Sequence, residues 1–128
     1  MAAPTQNPPK VDAIFQQSEW KAQAEKPGSL EQIGHKWDET ISTKGQALKT
    51  YLDDLKLAYR MLRDPNFQLE REKKITMIIA LLYIVSPIDL IPDGIPFLGM
   101  LDDVLVAGYA LKQVADELAR YKKTVPTP

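Results

Sequence analysis

The longest regular pattern in the chain is an apolar series at Leu30, Ile33, Trp37, Ile41, Leu48, Leu52, Leu55, Tyr59 and Leu62, mostly three or four positions apart. That spacing keeps one stripe of an α-helix apolar and turns it towards a partner. Ser29, with Gln32 three residues later, reads as a capping box that starts the helix. The weak stretch is Thr40 to Gly45, where Gly45 and β-branched residues each lower helix propensity by up to about 1 kcal/mol relative to alanine. The expectation is one helix bent near Gly45, or two helices. Asp64 before Pro65 ends the run, because a residue preceding proline avoids the helical region. Asn66 and Phe67 then turn the chain.

The next segment is patterned differently. A charged start, LEREKK, leads into ITMIIALLYIV, which is apolar on every side. Such a helix is either buried all round or immersed in lipid. Ile75 to Val85 is uncharged, but even extended through Ile88 it falls short of the roughly 18 to 20 residues that bridge a bilayer core. A central core helix is the plainer reading. Then SPIDLIPDGIPFLGMLDD, Ser86 to Asp103, interrupts the apolar run with prolines, glycines and aspartates. Beyond it, Leu101, Val104, Leu105, Leu111, Val114, Leu118 and Tyr121 outline another amphipathic helix. Its end carries Arg120, Lys122 and Lys123, cations that suit the negative pole of a helix C-terminus.

Upstream of the long series, Val11, Ile14, Phe15 and Ala22 outline a short amphipathic helix between Val11 and Lys26, closed by Pro27 and Gly28. No segment alternates with period two, and no glycine-rich loop opens a helix. The fold expectation is therefore all-α: a small helical bundle, its long amphipathic N-terminal helix packed on an apolar helical hairpin with a Pro/Gly/Asp corner. Residues 1–10 and 124–128 are proline-rich and read as tails. Residues 11–28 form a short helix or linker, and 29–123 the helical domain.

Composition removes several function classes. With 128 residues, 45% of them hydrophobic, the chain can bury one small core. Its 16 basic and 17 acidic side chains leave a formal net charge of -1, so no global field draws in nucleic acid. The absence of cysteine excludes a disulfide framework, a thiolate zinc site and a cysteine nucleophile. The N-terminus lacks the basic and apolar regions of a secretory signal. These features suit the cytoplasm or the cytoplasmic face of a membrane.

The aspartates of the corner are the main chemical candidates. Asp89, Asp93, Asp102 and Asp103 offer the carboxylate oxygens that a hard divalent cation favours, provided they converge. Each also has a local structural reading. Asp89 and Asp93 lie beside Pro87, Pro92 and Pro96, where aspartate caps helices or closes Asx-turns. Asp102 and Asp103 fall in a first helical turn, where negative charge stabilises by roughly 0.3 to 1 kcal/mol apiece. The structural reading is preferred, with no cofactor expected. His35 is the only histidine and has no second ligand one turn on, so it reads as solvated. Trp37 and Tyr59 read as core anchors, whereas Trp20, in a weak helix, is a candidate for a partner or an interface. Arg71, Lys73 and Lys74 precede the apolar helix; they read as a solvated start or as cations snorkelling towards anionic headgroups.

The run YIVSPIDLIPDGIPFLGMLDD resembles the signature of the YkvA-like family, the DUF1232 domain. Tyr83, Ser86, Pro87, Asp89, Pro92, Asp93, Pro96, Gly99, Asp102 and Asp103 carry the resemblance, which extends from about Leu48 to about Leu111. Gly94 stands where many relatives carry a large apolar residue. The resemblance implies no activity, since the family is known mainly as an uncharacterised domain of small bacterial proteins. It does imply membrane association. A mean hydropathy of -0.25 and the acids Asp102 and Asp103 argue against two standard spans. Three expectations follow: a non-enzymatic helical module docking on a membrane or partner, a soluble adaptor or homo-oligomer without membrane contact, or a carboxylate- or metal-dependent enzyme at the aspartate corner.

Overall fold

A helix with no polar stripe must be covered on every side, and in this protein one helix is. The computed structural model describes residues 13–85 and 103–124. Within them the chain forms α1 (Ala13–Gln16), α2 (Ser18–Glu25), α3 (Ser29–Lys44), a 3-10 turn (Lys49–Tyr51), α4 (Leu52–Arg63), α5 (Arg71–Val85), α6 (Asp103–Gln113) and α7 (Ala115–Thr124). From Ile75 to Val85 every α5 residue except Thr76 is buried. The cover comes from α6 above all, then from α2 and α3, with α4 and α1 completing it. Full burial of each large aliphatic side chain is worth about 1.5 to 3 kcal/mol, so α5 is the centre of the core. The architecture is the expected all-α bundle.

The long N-terminal series resolves into two helices. α3 stops at Lys44, where the Gly45 N–H closes the last helical hydrogen bond to the Ile41 carbonyl at 2.9 Å. The chain passes Leu48, which is fully buried, and re-enters helix at Leu52. Ile33, Leu48, Leu55 and Leu62 are buried as the stripe demands, but Trp37 and Tyr59 are only partly buried and pack on the margin of the core. Tyr59 instead has polar work: its hydroxyl donates to the Leu30 carbonyl at 2.9 Å and accepts from Arg63 at 3.0 Å. That hydroxyl sits 2.6 Å from where a β-carbon on Gly34 would stand, so α3 and α4 approach closely only because position 34 has no side chain.

Ser29 is not the N-cap. Gly28 occupies that position with φ of 91°, a left-handed conformation that costs glycine little. Ser29 begins the helix, buried, and its hydroxyl donates back to the Ala24 carbonyl at 3.0 Å. The residue that resembled a cap thus ties the end of α2 to the start of α3. Upstream, a break at Gln17 separates α1 from α2, and the buried positions are Ile14, Phe15, Trp20 and Ala24. Ala22, assigned to the apolar face from sequence, is exposed. Residues 14–24 pack on α5 and belong to the same core as the rest.

The C-terminal helix is interrupted at Val114, and of the stripe read from the sequence Leu111, Val114, Leu118 and Tyr121 are buried, while Val104 is only partly buried and Leu101 lies outside the described residues. Val106, Ala107, Ala110 and Leu111 are buried in α6, and Leu105 is 51% exposed. The small side chains of Ala107 and Ala110 let α6 lie close against α5, which leaves Leu105 on the outside. In α7, Leu118 and Tyr121 face α4. The Tyr121 hydroxyl donates to Asp64 Oδ2 at 2.9 Å, and burial together with that bond pushes its pKa up from the usual value. The Asp64–Pro65 stop is an Asx-turn, with the Asn66 N–H bonded to Asp64 Oδ1 at 2.8 Å.

Candidate functional site at the corner of α3, α5 and α6

Three helix ends meet at Lys44. As the last residue of α3 it extends its ammonium to the Ile84 carbonyl, in the final turn of α5, at 2.7 Å. The same ammonium lies 2.8 Å from Asp103 Oδ2, the first residue of α6. Carbonyls in the last turn of a helix lack intrahelical donors, and a cation there meets both that need and the negative pole of the helix. Asp103 in turn sits at the positive pole of α6. With side chains 30% and 23% exposed, this pair is better shielded than a surface ion pair, whose worth is commonly below about 1 kcal/mol.

The geometry gives Asp103 a structural role. Asp89, Asp93 and Asp102, with Ser86, Pro87, Pro92, Pro96 and Gly99, lie outside the described residues. Among the described residues no group of three or more acids or histidines could hold a metal ion. Tyr83, the remaining signature residue, is 8% exposed, with its ring 5.8 Å from that of Trp20. Trp20 itself is 3% exposed. It is a core residue, and this replaces the reading of Trp20 as a partner contact. His35 is exposed, as a solvated side chain should be.

The basic cluster is largely committed within the molecule. Arg71 pairs with Glu25 across the α2–α5 interface. Lys73 donates to Glu117 of α7 at 2.6 Å, which removes it from the set of cations free to reach a headgroup. Lys74 is exposed and lines an open groove of about 510 Å³ between the α2–α3 turn and the start of α5. Leu30, Leu69, Ile75 and Ile78 contribute apolar wall, and Glu25 and Glu31 offset the cations there.

The Lys73–Glu117 bond predicts an acid response. The hydrogen bond from Lys73 holds the Glu117 carboxyl below the usual glutamate range, and the same bond raises the Lys73 pKa. A carboxyl whose folded pKa is depressed stabilises the fold above its unfolded pKa and loses that contribution as pH falls through the folded value. Stability should therefore fall below about pH 4.5, near the unfolded glutamate pKa. Glu117→Gln should be less stable than the parent at pH 7, and the difference should shrink by pH 3. Urea titrations of both proteins across that range provide the measurement.

Lys44 was not among the residues singled out from the sequence. The available signal was modest: a basic residue in the last turn of a helix, immediately before a glycine, suits a C-terminal carbonyl cluster. Its actual partners lie in two distant helices, which periodicity does not reveal.

The fold thus defines a class: a small all-helical bundle built round an apolar helix buried from Ile75 to Val85, with an ion pair joining the end of α3 to the start of α6. Comparison with known proteins makes the class specific. Residues 73–109, from the first turn of α5 into α6, match the family described as "Protein of unknown function (DUF1232)". The chain is 41% identical over 69 residues to the "Uncharacterized membrane protein YkvA" of Bacillus subtilis (strain 168), a match spanning 51% of this chain and 65% of that protein. Residues 73–109 thus carry a segment similar to the DUF1232 family, and the chain spans less than two thirds of the length of the Bacillus relative it matches. No solved structure matches it.

Proposed function

We propose that the protein is a non-enzymatic helical module that associates peripherally with a membrane surface. The observation that carries the reading is the burial of α5: its apolar side chains are satisfied inside the bundle, so lipid contact falls to the exterior. No helix among the described residues is long and apolar enough to cross a membrane. The name of the Bacillus relative, a membrane protein, supports the location, and exposed Lys74 supports attraction to anionic headgroups. Protein should pellet with vesicles containing phosphatidylglycerol, less so at high salt, and remain in solution with phosphatidylcholine alone. Each cation near a charged leaflet contributes about 1 kcal/mol, so Lys74→Ala should weaken binding about fivefold. Protein that stays in the supernatant with both vesicle types sinks this reading.

A second reading, a soluble adaptor or homo-oligomer, is favoured by the cover that α2 and α3 place over α5. Light scattering separates the two: a defined oligomer with no vesicle binding is the outcome this second reading expects.

A further inference from the structure

The matched family segment begins at residue 73, and α3 lies outside it. Yet α3 packs along α5 and ends in an ammonium that touches both the end of α5 and the start of α6. We infer that α3 acts as a brace on the family hairpin, with Lys44 as the positioning residue that couples the α3 terminus to both sides of the α5–α6 corner. Lys44 reaches the Ile84 carbonyl and Asp103 Oδ2 at 2.7 and 2.8 Å, so its charge sets where these two helix ends stand relative to each other.

The coupling has a specific consequence. Removing the charge takes one partner from three helix ends at once, two of them remote in sequence, whereas the α4–α7 contact loses none. A residue that merely filled space would loosen its own helix first. The acceptors are a neutral carbonyl and a carboxylate, and a cationic side chain with more than one N–H can donate to both.

Hydrogen exchange on the full chain tests this, comparing the parent with Lys44→Met, Lys44→Arg and Asp103→Asn. In Lys44→Met, exchange should rise about tenfold or more, the scale of a charge-assisted hydrogen bond, at Ser42 to Lys44, Leu82 to Val85 and Ala107 to Tyr109. Leu118 to Tyr121 should be unchanged. Asp103→Asn should raise exchange in the last turn of α3 by a smaller factor, because the Ile84 bond remains. Lys44→Arg should restore most of the protection. Three results would overturn the inference: no change in Lys44→Met, a rise confined to α3, or an equal rise in α7 that marks uniform loss of stability.

Discussion

Leu81→Ala should destabilise the bundle by about 2 to 5 kcal/mol, whereas Leu105→Ala should change stability by less than about 0.5 kcal/mol. The residue type and the substitution are the same, so the contrast isolates burial. Leu81 is 0% exposed on a helix covered on all sides, and Leu105 is 51% exposed on α6. Loss of the Leu81 side chain removes its transfer free energy and leaves a cavity that the surrounding helices fill only in part. For a domain of this size each kcal/mol corresponds to roughly 3 to 6 °C in Tm, so Leu81→Ala should melt roughly 6 to 30 °C below the parent. Thermal unfolding in plain buffer is the measurement. It also tests the central claim about α5, because the parent should melt sharply without detergent. A lipid-facing α5 predicts the reverse: poor cooperativity in buffer and a small effect of Leu81→Ala.

What the sequence revealed about this fold depended on how far the responsible interactions reach. The burial of α5 was legible because ITMIIALLYIV has no polar side to offer water, and that conclusion needs no partner to be known. The break near Gly45 was legible as a weakness, though not as a choice between bend and break. Leu48, fully buried in the linker between α3 and α4, goes with the break, and its burial is a tertiary event. The capping box at Ser29 was misleading because Gly28 can adopt the left-handed conformation. Ser29 is then free to bond the Ala24 carbonyl.

The candidate site divides along the same line. Its signature residues are contiguous and could be recognised as a family pattern, down to Asp103 in a first helical turn. Lys44 could not, because its acceptors become neighbours only after α3 has packed on α5. Lys73 shows the converse. Beside Arg71 and Lys74 it looked like part of a basic patch, but Glu117 of α7 takes it into an internal pair, and only the tertiary fold makes that visible.

Trp20→Ala should cost about 3 to 5 kcal/mol and should loosen the start of the chain from α5. From sequence this residue looked available to a partner, because it lies in a weakly patterned short helix. In the structure the ring is buried against Tyr83, one residue before the carbonyl that Lys44 holds. Its indole N–H is buried with no hydrogen-bond partner among the described residues. A buried donor left unpaired carries a penalty of about 1 to 3 kcal/mol, which Trp20→Phe would remove along with some ring area. The two effects oppose each other, so Trp20→Phe should fall within about 1.5 kcal/mol of the parent while Trp20→Ala falls far below it. Urea denaturation of the three proteins measures the ordering. If the alanine variant were as stable as the parent, α2 would contribute nothing to the core and residues 14–24 would be an appendage. Parent and Phe close together, with Ala far below both, would instead establish that the N-terminal segment and α5 fold as one unit.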